Sequence, residues 1–151
     1  MPSIAMSGND TLSINNHVFT SFSDKDVATL TFPNDIAQVK TGKNGNSIYG
    51  LNESGRQCEL TVRVLRGSSD DKFLNGLYSQ QTLNFSGFIL MIGALVKKIG
   101  DGKGNITSDT YVLSGGIFQK EPEAKINVEG DTDQSIVEWA LKFANAPRAI
   151  T

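Results

Sequence analysis

Residues 57–65, QCELTVRVL, set Cys58, Leu60, Val62 and Val64 against Gln57, Glu59, Thr61 and Arg63 in strict alternation, broken only by Leu65. Successive side chains of an extended chain point to opposite sides, so this period of two marks a strand with one face in a core and one in water. The period then changes. Arg66-Gly67 interrupts the run, Ser68 stands three residues before Asp71, and Phe73, Leu74, Leu77 and Tyr78 recur at helical spacing. The spacing predicts a helix over 68–80, with Ser68 as its N-cap and Asp70 and Asp71 in the first turn, where the backbone dipoles favour negative charge. A strongly alternating strand that feeds a capped helix limits the chain to a sheet with a helix laid against it. Cys58, on the apolar side of the strand, reads as core filler rather than as a nucleophile.

Two further segments share the period. Residues 27–32, VATLTF, put Ala28, Leu30 and Phe32 on one side and Thr29 and Thr31 on the other. Residues 137–143 do the same with Val137, Trp139, Leu141 and Phe143. Ile136, Trp139, Ala140 and Phe143 also fit a helical face, but Val, Trp and Phe favour strands. A strand here would pair with its predecessor, in which Ala124, Ile126 and Val128 alternate ahead of a turn-like 130–133. Trp139 is expected in the core, with an indole N–H that needs a partner.

Residues 88–96, FILMIGALV, are apolar at nearly every position. As a strand, this segment has two faces that avoid water, and its own core serves only one of them. A buried helix is the rival reading. Residues 100–105 are rich in Gly, Asp and Asn and suit a tight reversal, with Gly115 and Gly116 expected as a bulge or bend further on. Exposure of Ile89, Met91 or Leu95 would leave an adhesive patch, so another copy of the chain is the expected cover.

Between the strands at 27–32 and 57–65, Lys43-Asn44-Gly45-Asn46 carries turn chemistry between weakly alternating segments at 36–40 and 47–51. We read 34–56 as a long hairpin with too little apolar surface to fold down on its own domain. Such an arm is either a mobile loop or a limb that becomes ordered on a neighbour, and its strand-like flanks favour the second.

Chemical apparatus is scarce. The chain of 151 residues suits one domain, 1–151, and its net charge of −2 argues against gripping a phosphate backbone. One cysteine excludes an internal disulfide, and the single histidine, His17, reads as a surface strand residue, so zinc and Cys–His chemistry find no support. Residues 101–112 imitate a calcium loop only at the start, since Ile106 occupies the glycine position and Val112 the bidentate-glutamate position. Gly42-Lys43 and Gly102-Lys103 lack the Ser or Thr of a phosphate loop. Pro122 between Glu121 and Glu123 points to an exposed edge or turn rather than to a carboxylate dyad. We expect no catalytic residue, cofactor or metal, and no leader or membrane helix, the latter needing about 20 apolar residues in a row.

The order of strand, arm, alternating strand and Ser/Asp-capped helix in DVATLTFPND, TGKNGNSIYGLNESGR and QCELTVRVLRGSSDDKFLNGLY resembles the tail tube proteins of long-tailed bacteriophages, especially those with contractile tails. The resemblance covers residues 26–78, and the all-β remainder is compatible with it. It implies a mainly β fold, an antiparallel β-sandwich or barrel with one flanking α-helix and a long β-hairpin arm. It further implies hexameric rings stacked into a tube, with a tape-measure protein and then DNA in the lumen. A sheath surrounds such a tube if the tail contracts, and baseplate and tail-terminator proteins meet its ends. Its place would be the virion tail, after synthesis in the host cytoplasm, with no membrane involved.

Carried onto this chain, the arm would reach an adjacent ring and 88–96 would help to close a ring. That makes Lys40, Lys43, Tyr49, Arg56, Phe88, Ile89, Met91 and Leu95 candidate subunit-interface residues. The stretch 121–138 holds Glu121, Glu123, Glu129, Asp131, Asp133 and Glu138 against Lys125, so Glu129 and Asp131 are candidate partners for the cations of the arm. Two rivals stand beside this reading. One is the tube protein of a bacterial secretion or contractile injection system, and the other a monomeric β-barrel that turns 88–96 toward a small apolar ligand.

Overall fold

The computed structural model describes residues 4–6, 10–22, 27–123 and 132–151. Its strands are β1 (Ala5–Met6), β2 (Thr11–Ile14), β3 (His17–Val18), β4 (Ala28–Thr31), β5 (Ala37–Thr41), β6 (Ser47–Leu51), β7 (Cys58–Leu65), β8 (Met91–Gly100), β9 (Ile106–Glu123), β10 (Ile136–Asn145) and β11 (Arg148–Ile150). One α-helix, α1 (Ser69–Leu83), stands between β7 and β8. Nine strands share an antiparallel sheet with the path β3-β2-β8-β9-β10-β7-β4, to which β1 adds beside β8 and β11 beside β9. Among the described residues, the strands β5 and β6 pair only with each other, and the fold is mainly β with a single α-helix, as the patterning requires.

Local pattern accounts for the central strands. In β7, Cys58, Leu60, Val62 and Val64 are fully buried, and each fully buried aliphatic side chain contributes on the order of 1.5–3 kcal/mol. Across the ladder, β10 buries Val137, Trp139, Leu141 and Phe143, so it is a strand and not a helix. Burial raises the pKa of the Cys58 thiol, which fits filler and not a nucleophile.

The sheet curls. Leu12 and Ile14 of β2 belong to the same core as Leu60 and Val62 of β7, near the opposite end of the strand path, with Leu74 of α1 among them. A sheet whose two ends face one core is a barrel with a seam, and residues 19–22 bridge it. Phe19 N donates to Leu12 O on one side (3.0 Å), while Ser21 O accepts from Leu65 N on the other (2.9 Å). The first turn of α1 holds this bridge: the buried Asp70 carboxylate accepts from Thr20 N (2.8 Å), Ser21 N (2.6 Å) and His17 Nε2 (2.8 Å). His17 is therefore no simple surface residue. It is half-buried, stacked on Phe73 with ring centroids 4.2 Å apart, because a buried carboxylate needs donors and the nearest strand supplies one.

Asp71 has a second duty as well. Its backbone N–H donates to Ser68 Oγ (3.3 Å), which completes the expected cap, while its carboxylate accepts from Gly67 N (2.9 Å) and from the Trp139 indole (3.0 Å). The partner that Trp139 needed is thus the helix N-terminus.

The hairpin β8–β9 turns as expected. Asp101 accepts from Lys103 N, Asn105 N and Asn105 Nδ2, which occupies its carboxylate within the turn and lowers its pKa. Gly115 has φ of +67°, and the β8 pairing shifts register between Met91 and Gly93, the predicted bulge. A Cβ on Gly116 would collide with the Phe143 ring. Past Gly116, β9 has lost β8 as a partner, and Gln81 of α1 takes its place: Phe118 N donates to Oε1 (2.8 Å) and Nε2 donates to Phe118 O (3.0 Å). That unpaired edge also tolerates Pro122 inside the strand.

Two expectations need correction, and a third falls on residues that are not described. The segment 88–96 is not strand throughout, since β8 begins at Met91, and the helical alternative for it fails. Phe32 lies beyond β4 and is exposed, 6.2 Å from the Tyr111 ring, because β4 ends before its side chain can turn inward. The proposed strand at 124–128 lies outside the described residues.

Candidate assembly surface

The arm is a formed ribbon. β5 and β6 pair from Ala37 opposite Leu51 to Thr41 opposite Ser47, and Gly45, with φ of +81°, turns the tip. Its base is fastened where Asn52 N donates to Ile36 O (2.7 Å) and Asn34 Nδ2 donates to Ser54 O (3.3 Å). Gly55 is buried there because a Cβ would strike the backbone of Asp35 and Ile36. Beyond that base the ribbon stands in water, with Val39 at 53%, Tyr49 at 79% and Leu51 at 62% exposure.

A second apolar surface follows α1. Leu83 and Ile89 are each 85% exposed, Phe85 is 64% and Leu90 is 53% exposed. Asn84 shapes this turn by accepting from Gly87 N (3.1 Å), so the side chains project from a defined backbone.

The structure distributes the remaining candidate residues unevenly. Lys40 and Lys43 are exposed on the arm, and Arg56 at its base already pairs with Glu53 at 2.7 Å. Phe88 packs half-buried against the core, Met91 is fully buried within it and Leu95 lines its edge, so of the apolar candidates after α1 only Ile89 is free for a neighbour. Met91 faces inward because β8 starts there in register with Gly116. Glu129 and Asp131 lie outside the described residues. Glu121 sits beside Tyr78, whose hydroxyl is pushed to a higher pKa by burial first and by the charge and hydrogen bond of Glu121 second. Sequence reasoning missed Leu83 and Phe85, which extend the uncharged run back to 83, and did not single out Leu90 within 88–96.

Among the described residues, no group of three or more His, Cys, Asp or Glu side chains could hold a metal, and no helix is long and apolar enough to cross a membrane. What this surface can do is adhere.

Comparison with known proteins defines the class. The family described as Bacteriophage PhiTE tail tube protein matches residues 7–149, and the chain belongs to it. It is a structural tail tube protein, a component of the virion tail. Among solved structures, a chain of an extracellular contractile injection system, the PVC sheath-tube complex in its extended state, superposes with a TM-score of 0.64. That match covers 94% of this chain and 88% of the other at 9% identity, so what the two share is the fold. No curated protein matches the sequence. Family membership sets aside the small-ligand barrel.

Proposed function

We propose that this tail tube protein works as a repeated tile: copies of a single domain, 1–151, close head to tail into hexameric rings, and the rings stack into a tube. The observation that carries this reading is the β5–β6 ribbon, which exposes Val39, Tyr49 and Leu51 while the other strands share one sheet. An isolated two-stranded ribbon is marginal in water, and a protein of tubes has a ready cover for it in the next copy. Head-to-tail contact closes a ring where the rotation between copies permits, and axial repetition of the ring gives a filament.

In this reading the tube belongs to a contractile tail, supported by fold likeness to a chain of a sheath–tube complex. A sheath surrounds it, baseplate and tail-terminator proteins meet its ends, and a tape-measure protein and then DNA occupy the lumen. The subunit is made in the host cytoplasm and catalyses nothing; its role is that of a conduit. A net charge of −2 leaves no cationic excess to retain phosphates. We assign Lys40 and Lys43, with Arg56 behind them, to contacts with the acidic 121–138 of a neighbour, Glu129 and Asp131 included, and Ile89, which the fold leaves exposed, to ring closure.

Electron microscopy of the purified protein tests the assembly, with rings and tubes as the expected result. A uniform population of monomers at high concentration would overturn it. The charge contact is tested separately by Lys40→Glu with Lys43→Glu, which should weaken assembly most at low salt. Assembly of that variant with unchanged salt dependence would remove the contact and leave the tube.

A further inference from the structure

Resting on the reading that copies of this chain build a tube, we propose that one face of the β5–β6 ribbon seats on the turn that leaves α1 of a second copy. Val39, Tyr49 and Leu51 of one chain then cover Leu83, Phe85 and Ile89 of the next. The ribbon is two-faced by register: Ala37, Val39, Thr41, Ser47, Tyr49 and Leu51 share one side, and Gln38, Lys40, Ile48 and Gly50 share the other. The first side holds no charge, and a shallow, mostly apolar groove runs along it, lined by Ala37, Val39, Tyr49 and Leu51 and, between them, by Gln38 and Gly50. The charged contact at Lys40 therefore belongs to the opposite face, and the two faces meet different surfaces.

The receiving surface follows from the same chemistry. No charged residue occurs between Leu83 and Val96, so a charged or strongly hydrated partner would leave its own polar groups unpaired there. The turn projects its side chains as knobs from a backbone fixed by Asn84, whereas the ribbon offers a groove. Knob and groove on one chain make a heterologous contact, which propagates from copy to copy. Two grooves placed face to face would instead form a closed two-fold pair and end growth. A second copy is therefore the occupant that fits both surfaces at once.

Two preparations, each with one added cysteine, test the pairing, Tyr49→Cys and Ile89→Cys, mixed and treated with a short bis-maleimide. The native Cys58 is fully buried, so the unaltered chain serves as the blank. The mixture should give roughly tenfold more cross-linked dimer than either preparation alone, because proximity raises the effective concentration of the two thiols. Coupling of Tyr49→Cys to itself as strongly as to Ile89→Cys would overturn the pairing. A second measurement covers the case in which the cysteines weaken assembly. Val39→Asp should abolish tubes while keeping the near-ultraviolet dichroism of a folded subunit, and Gln38→Asp, on the other face, should leave tubes intact. Undiminished tubes from Val39→Asp would refute the assignment of faces. Failure of the unaltered protein to form rings or tubes is a different result, which removes the tube reading itself.

Discussion

The strand β7 and the ribbon β5–β6 lie close together in the chain, and both alternate apolar with polar residues, yet they finish in opposite environments. β7 lies between β4 and β10, and Cys58, Leu60, Val62 and Val64 lose all contact with water. β5 and β6 have only each other, and Val39, Tyr49 and Leu51 face solvent. The patterns differ in purity more than in kind. The inward row of β7 is apolar at four successive positions and leads straight into α1, whereas the corresponding row of the ribbon is interrupted by Thr41 and Ser47 at its tip. Alternation makes a segment extended. The number of partners it can recruit decides whether it becomes a wall or a limb.

Three substitutions probe that contrast. The largest effect is expected from Trp139→Ala, on the walled side, where the indole packs against Tyr78 and Phe118 and donates to Asp71. Urea unfolding of the dispersed subunit should show a loss of about 3–5 kcal/mol. A loss below about 1 kcal/mol would mean that the walled half is not the core that holds the fold.

Asp70→Ala comes next. It takes the acceptor from two part-buried backbone N–H groups at the seam, at a cost of about 1–3 kcal/mol. Hydrogen exchange should show faster exchange of the Thr20 and Ser21 amides, with α1 kept because Ser68 still caps it. Unchanged protection at those amides would show that the seam does not depend on the carboxylate.

The smallest effect belongs to the limb. Val39→Ser should alter the stability of the dispersed subunit by no more than about 0.5 kcal/mol, since the side chain has little burial to lose. A larger loss would mean that the ribbon already folds down on its own chain, and the contrast between wall and limb would collapse.

Much of this molecule was legible in advance for a definite reason. The strand at 57–65, the helix after Ser68, the arm and its turn, the reversal at 100–105 and the bulge at Gly115 all depend on interactions within a few residues, which periodicity, caps and turn chemistry report directly. The assembly surface was only partly legible. The apolar run at 88–96 signalled excess surface, but the register of β8 against β9 sent Met91 inward and left Ile89 outside, and no pattern in the run itself distinguishes the two. Leu83 and Phe85 were overlooked because they straddle a helix end and a turn, where neither period applies, while Leu90 lay within the flagged run without being singled out.

The amino-acid order alone determined that this chain is a β protein with one capped helix and a projecting arm, because those features follow from contacts between near neighbours. Only the tertiary structure decided how the sheet closes and which apolar side chains remain outside. Asp70 meets His17 across 53 positions of sequence, and Gln81 reaches Phe118 across 37. Contacts over such distances are chosen by the packing of the whole chain, since a single carboxylate or amide has many possible donors until the fold brings one set within reach.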